Sequence, residues 1–181
     1  PWDRVHVYWG DERCVAVDDD RSNENLARNT FLKHVPIYER HVHPIRCTDD
    51  TAASSREYEA LLHRELGQRE TPLDLVLLGM GDDGHTAALF PGMMALEESI
   101  LWTAIVRKPG DDFDRITMTL PLLNRSRRAV FIVSGESKAE TLRVILEDEG
   151  GPQWLPAARI DPSGEEALWL VDESAASLLT R

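Results

Sequence analysis

The chain has 181 residues, a formal net charge of −12 and a hydrophobic fraction of 42%. This length suits one domain with a substantial core, and the composition is typical of a soluble globular protein. The net charge argues against nucleic acid as a partner, because binding to a phosphate backbone needs clustered positive charge. No apolar run is long enough to cross a bilayer, and the first residues lack the architecture of a signal peptide. We therefore expect a cytoplasmic protein that binds neither membranes nor nucleic acid.

Strand-like and helix-like segments alternate along the chain. Strands are predicted at residues 5–9, 41–45, 73–78, 128–133 and 167–171. Helices are predicted at 24–32, 51–70, 139–146 and 172–179, with a brief helical turn at 120–125. Two further strands, at 100–106 and 114–121, are separated by a short turn and predict an antiparallel pair. This alternation is typical of βαβ units, so we expect one α/β domain with a mainly parallel central sheet and helices on both faces.

The cysteines and histidines outside the central loop give no sign of a metal site. Cys14 and Cys47 are the only cysteines, too few for a disulfide framework or a cysteine-rich site, and we expect both to be reduced. His41 and His43 lack a carboxylate or a further histidine at ligand spacing, so a half-exposed edge strand explains them better. Ser22 is predicted to be the N-cap of the first helix.

The strongest functional signal follows the strand at residues 73–78. That apolar run changes at once into the loop GMGDDGHT at residues 79–86. In a parallel α/β sheet the ligand crevice lies outside the carboxyl ends of the strands, and glycine lets a ligand approach the backbone closely. Asp83 and His85 stand two residues apart, so both side chains can face one cavity. Taken in isolation, the same loop is also compatible with an ordinary surface turn.

Basic residues stand at or next to the ends of other predicted strands. Lys138 follows a strand and a glycine turn and precedes a helix, which suits an anion site. The alternative is that Ser137 caps this helix and that Lys138 is solvated. A chain of this net charge would otherwise repel an anion. We therefore expect Arg13, Arg115 and Lys138 to converge on one anion site at the carboxyl edge of the sheet.

The pattern GxGxDGHTAxLFPG at residues 79–92 resembles the signature of the 6-phosphogluconolactonase family. Further motifs of the family follow in order over nearly the whole chain: Trp9-Gly10-Asp11-Glu12-Arg13, Ser22-Asn23, Arg115-Ile116-Thr117 and Gly135-x-x-Lys138. One departure is Pro109-Gly110-Asp111-Asp112, which replaces a proline pair of the family. The resemblance implies the NagB/RpiA-like α/β fold shared with sugar-phosphate isomerases. In the family a glycine-rich sugar-phosphate loop precedes the W-x-D-E-R segment, so we expect residues 1–181 to form one N-terminally incomplete domain.

The resemblance also implies an activity. This is hydrolysis of 6-phospho-D-glucono-1,5-lactone to 6-phospho-D-gluconate in the oxidative pentose phosphate pathway. His85 is then the expected general base for water, and Asp83 orients its ring. The expected substrate-binding and phosphate-binding residues are Gly81, Gly84, Arg13, Arg115, Lys138 and, more weakly, Arg107. No cofactor and no metal are expected, and the partner is a small phosphorylated sugar lactone bound to a monomer or homodimer.

Two alternatives share this fold. Glucosamine-6-phosphate deaminases also carry a D-G-H loop, but an Asn-Glu-Pro-like continuation follows it where this chain has Ala88-Leu89-Phe90-Pro91. A non-catalytic sugar-phosphate sensor is the second alternative. Such regulators usually carry a DNA-binding segment, and this sequence has neither a basic patch nor a helix-turn-helix.

Overall fold

A computed structural model describes residues 1–148 and 152–180 of the chain. The strands are β1 (Val7–Tyr8), β2 (Asp11–Arg13), β3 (Val42–His43), β4 (Val76–Leu78), β5 (Thr103–Val106), β6 (Arg115–Met118), β7 (Ala129–Val133) and β8 (Leu168–Val171). The α-helices are α1 (Asn23–Thr30), α2 (Thr51–Leu66), α3 (Leu120–Leu123) and α4 (Ala139–Glu147). Short 3-10 turns connect several of these elements.

The strands form three sheets within the described residues. In one sheet β4, β7 and β8 are parallel, in the second β1 pairs with β3 in parallel, and in the third β2, β6 and β5 are antiparallel. The α/β class and the antiparallel pair β5–β6 confirm the expectations. The parallel strands are divided between two sheets, and a cavity of about 710 Å³ is lined by residues of β1 and of the 74–77 segment. Leu75 and Leu77 are 51% and 63% exposed there.

The core is built from alternate strand residues and one face of α2. Phe131 of β7 is fully buried and stacks on Trp169 of β8, with ring centroids 3.9 Å apart. Leu62 of α2 is also fully buried. Tyr58 joins α2 to the end of β1, because its hydroxyl donates to the carbonyl of Trp9 and accepts from the N–H of Trp9, both at 3.0 Å. These contacts hold the strand ends that carry the charged loops.

The two cysteines are not reduced, which corrects the sequence expectation. Cys14 and Cys47 form a disulfide, with their Cα atoms 5.2 Å apart. Cys14 directly follows β2, whereas Cys47 lies in the segment between β3 and α2. Their 33-residue separation gave no sign of this proximity, because pairing depends on the tertiary fold.

The predicted helix at residues 172–179 is also wrong. The segment forms a series of turns, with hydrogen bonds that mix i→i+4 and i→i+3 spacing. The carboxylate of Asp172 accepts from the N–H of Ala175 and from that of Gly135, and so ties the segment to the end of β7. Elsewhere in the described residues, no helix combines the length and apolar character needed to span a bilayer.

Candidate active site

The glycine-rich loop after β4 closes on itself through backbone hydrogen bonds. The N–H of Gly81 donates to the carbonyl of His85 at 2.9 Å, and the N–H of Gly84 donates to the carbonyl of Gly81 at 3.1 Å. The hydroxyl of Thr86, which is buried, donates to the carbonyl of Gly79 at 2.8 Å. Gly84 has a φ of +78°, and a Cβ there would approach Leu155 within 2.7 Å. Glycine is therefore required at this turn.

Asp83 and His85 form a hydrogen-bonded pair in this loop. Oδ1 of Asp83 lies 2.5 Å from Nδ1 of His85 and also accepts from the backbone N–H of His85 at 3.1 Å. Because an ionised carboxylate only accepts, Nδ1 carries the proton and Nε2 keeps a free lone pair. The His85 ring packs on Phe90, with centroids 4.5 Å apart. Nε2 of His85 can therefore accept a proton as a base.

The pKa of Asp83 lies below its ordinary value. Partial burial raises the pKa of this carboxyl, but the hydrogen bonds from the ring and the backbone of His85 lower it by more. The positive charge of Lys108 acts in the same direction. Asp83 is therefore ionised at neutral pH and can stabilise a protonated His85 ring.

The loop opens on a cavity of about 810 Å³ at the ends of β1 and β4. Five of the residues that the sequence singled out line it: Arg13, Gly81, His85, Arg115 and Lys138. Pairing of β2 with β6 brings two of these cations together, because Arg13 and Arg115 stand directly opposite each other in the register. Lys138 reaches the same cavity from the turn between β7 and α4.

The three cations differ in their partners. Arg115 donates to Oδ2 of Asp111 at 2.6 Å, and its guanidinium lies over the rings of Phe90 and Phe113. Arg13 donates from Nη1 to the carbonyl of a loop residue at 2.8 Å, whereas its buried Nε has no hydrogen-bond acceptor among the described residues. Lys138 forms no ion pair with any side chain in the ranges 1–148 and 152–180. A phosphate in the cavity would thus meet, at Lys138, an ammonium group that has no ion pair among the described residues.

Three predicted residues do not line the cavity. Asp83 lies behind His85 and contacts the ring, and Gly84 supplies the turn. Arg107 points elsewhere: its Nε donates to Asp114 at 2.6 Å, and its side chain is 57% exposed. No group of three or more potential metal ligands occurs in the described part of the chain.

Two residues that the sequence analysis named only as parts of family motifs, without a site role, also line the cavity: Asp11 and Asn23. Burial raises the pKa of Asp11, against the opposing effect of Arg13 and Arg115. A signal for Asp11 existed in the sequence, because alternation along β2 places it on the same side as Arg13. For Asn23 the signal was the Ser22-Asn23 motif of the family. Its exact position depends on how α1 packs against β2, where its Nδ2 donates to the carbonyl of Asp11 at 2.9 Å.

Comparison with known proteins gives consistent matches. A family model described as "Glucosamine-6-phosphate isomerases/6-phosphogluconolactonase" matches residues 1–169. A 6-phosphogluconolactonase of Synechocystis sp. is 42% identical over 184 residues, covering 97% of this chain and 73% of that protein. The solved 6-phosphogluconolactonase of Trypanosoma brucei is 25% identical with a TM-score of 0.80, covering 96% and 73%. A solved monomeric glucosamine-6-phosphate deaminase is 26% identical with a TM-score of 0.81, covering 98% and 76%.

Proposed function

The chain belongs to the glucosamine-6-phosphate isomerase/6-phosphogluconolactonase family, and on this basis we propose that it hydrolyses 6-phospho-D-glucono-1,5-lactone to 6-phospho-D-gluconate. The observation that carries the proposal is the Asp83–His85 pair beside a cavity lined by three cations. A lactone is an activated ester, so a positioned base and a bound phosphate supply what its hydrolysis needs.

In the proposed mechanism His85 acts first as base and then as acid. Nε2 takes a proton from water as the water oxygen bonds to C1 of the lactone, and a tetrahedral oxyanion forms. Asp83 stabilises the resulting imidazolium through Nδ1. The C1–ring oxygen bond then breaks, and Nε2 returns the proton to the departing oxygen, which becomes a hydroxyl. The candidate donors to the oxyanion are main-chain N–H groups of the glycine loop other than those of Gly81, Gly84, His85 and Thr86, which already donate to nearby acceptors.

Arg13, Arg115 and Lys138 bind the phosphate in this proposal. Guanidinium groups present paired donors that match phosphate oxygens, and an ammonium adds a compact charge. Together they offset the repulsion that a protein of net charge −12 exerts on an anionic sugar. Arg107 is left out, because it pairs with Asp114 away from the cavity.

Replacement of His85 tests the proposal. We expect His85→Ala to lower kcat by about 10²–10⁴, the usual size of an acid–base contribution. Asp83→Asn should lower kcat by no more than this factor, since it weakens the orientation of the His85 ring without removing the base. Rates are measured as acid release from the lactone, with spontaneous hydrolysis subtracted. A His85→Ala rate close to that of the parent would leave the loop as a binding element only.

The deaminase alternative has its own support in the similarity to the monomeric glucosamine-6-phosphate deaminase. Assays of the same purified protein with glucosamine 6-phosphate, following ammonia release, separate the two reactions. Ammonia release without lactone hydrolysis would favour the deaminase. Binding of both sugar phosphates without turnover would favour a sensor.

Cellular location and assembly belong to the same proposal. We expect a cytoplasmic protein, monomeric or homodimeric, that binds neither nucleic acid nor membranes. The Cys14–Cys47 disulfide is unusual for a reducing compartment, so thiol titration of protein from its native source would test the location.

A further inference from the structure

The side chain of Glu12 lies between β2 and the start of α1 and is 3% exposed. Its Oε1 accepts from the N–H groups of Arg13 and Asn23, both at 2.7 Å. Its Oε2 accepts from the N–H of Glu24 at 2.7 Å and from the hydroxyl of Ser22 at 3.2 Å. Four donors therefore surround a buried carboxylate that no step of the reaction uses.

The hydrogen bonds of Glu12 position both the backbone and the side chain of Arg13. Glu12 binds the backbone N–H of Arg13 directly. The guanidinium of Arg13 donates from Nη1 to the carbonyl of Arg21 at 2.8 Å, one residue before Ser22, which Glu12 also binds. Both the backbone of Arg13 and the segment that supports its side chain thus depend on one carboxylate.

We propose that Glu12 is a positioning residue that fixes Arg13 to receive the phosphate of the substrate. This inference rests on the phosphate-binding role given to Arg13 in the proposed function. A negative charge facing the first N–H groups of a helix is favourable, and charge-assisted hydrogen bonds are short and strong. Burial removes competing water, so the carboxylate sets the spacing between β2 and α1.

The change Glu12→Gln tests this role while keeping the size of the side chain. Its amide group would place N–H donors against backbone donors, and Arg13 would lose its fixed position. We expect KM for the phosphorylated lactone to rise roughly 10- to 100-fold, the scale of a misplacement of about 1 Å, with a much smaller change in kcat. A purely structural role would do the reverse, because fewer folded molecules lower the apparent kcat and leave KM unchanged.

A double mutant identifies Arg13 as the residue through which Glu12 acts. Arg13→Ala alone should raise KM by at least as much as Glu12→Gln. In the Arg13→Ala background, Glu12→Gln should raise KM no further, because two residues that act as one unit are not additive. Additive effects of the two changes would overturn the inference.

Glu24 provides a matched control on the same helical turn. It is 2% exposed and pairs with Arg28 and Arg46, both at 2.8 Å, without a hydrogen bond from its carboxylate to Arg13. Glu24→Gln should therefore lower the melting temperature and leave KM unchanged. A rise in KM equal to that of Glu12→Gln would mean that any loosening of α1 disturbs the site, and Glu12 would have no special role.

Two further measurements test the inference if Glu12→Gln does not fold or if the parent protein hydrolyses no lactone. If Glu12→Gln fails to fold, Ser22→Ala removes one of the four bonds and should raise KM by a smaller factor; an unchanged KM contradicts the inference. If the parent protein hydrolyses no lactone, the proposed function fails, and titration with inorganic phosphate replaces the assay. Arg13→Ala should then weaken phosphate binding at least as much as Glu12→Gln does, and an unchanged phosphate affinity of Glu12→Gln would overturn the inference.

Discussion

A methyl group on Gly81 would lie 2.0 Å from Nδ1 of His85. The same methyl group would lie 2.6 Å from Oδ1 of Asp83, so it would enter the space of the hydrogen bond between them. A methyl group on Gly79, two residues earlier, would have no described atom within 4 Å beyond its chain neighbours. Gly81 therefore has a steric reason for lacking a side chain that Gly79 does not have.

We expect Gly81→Ala to lower kcat on the order of 10²-fold, because it displaces the base from its orienting carboxylate. Gly79→Ala is the control for kcat, since its methyl group would enter open space. NMR of the His85 ring should show that the Nδ1 proton loses its hydrogen bond in Gly81→Ala only. Equal kcat values in the two variants would show that catalysis does not depend on the hydrogen bond between Asp83 and His85.

Lys138→Ala should raise KM more than it lowers kcat, if the phosphate is held equally in the ground and transition states. The matched comparison is Arg107→Ala, whose guanidinium lies outside the cavity and is bound to Asp114. Initial rates over a range of lactone concentrations separate the two constants. A larger effect of Arg107 on KM would contradict the placement of the phosphate.

Stability should fall as the pH drops below about 6.5. His6 and His43 lie 3.0 Å apart, Nδ1 to Nε2, and the pKa of each is lowered, first by burial and then by neighbouring positive charge. The folded protein then binds protons less readily than the unfolded chain, whose histidines titrate near 6.5. This stabilisation is complete above that pH and is lost as the pH falls towards the folded pKa values.

Melting temperatures measured between about pH 5 and 8 check this dependence. His43→Gln should flatten it, whereas replacing His34, an exposed histidine away from the pair, should not. If the melting temperature of His43→Gln still falls as steeply with decreasing pH, groups other than this histidine pair cause the pH dependence.

Tyr58→Phe should destabilise the fold by about 1–3 kcal/mol, because it leaves the buried N–H and carbonyl of Trp9 without the hydroxyl as a partner. Urea unfolding gives the free energy. Tyr38→Phe is the surface control, since Tyr38 is 47% exposed, and a change within about 0.5 kcal/mol is expected there. Equal losses in the free energy of unfolding in both variants would mean that the hydroxyl of Tyr58 does not stabilise the fold.

Local sequence signals predicted the parts of this molecule that depend on neighbouring residues. Ser22 caps α1 as expected, its hydroxyl accepting from the N–H of Asn25. The Asp83–His85 pair was also accessible, because two residues of separation limit where the side chains lie. In each case the relevant atoms belong to one short segment.

Several features that depend on packing between distant segments were not predictable, unlike the shared cavity of Arg13, Arg115 and Lys138. The Cys14–Cys47 bond requires knowledge of how β2 lies against the chain after β3. The turns after β8 depend on a hydrogen bond between Asp172 and Gly135, which no local propensity encodes. The four bonds to Glu12 likewise form only once α1 docks on β2.

The register of β2 against β6 places Arg13 directly across from Arg115. Like charges facing each other on neighbouring strands cost stability. Asp11 and Asp111 each offset part of this repulsion, since they lie 3.9 Å from Nε of Arg13 and 2.6 Å from Nη2 of Arg115. In the proposed function, the phosphate of the substrate would offset the rest. We expect the phosphorylated product to raise the melting temperature, and Arg115→Gln to reduce that rise. On the proposed function, the Arg13–Arg115 pair lowers the stability of the free protein in exchange for binding the phosphate of the substrate.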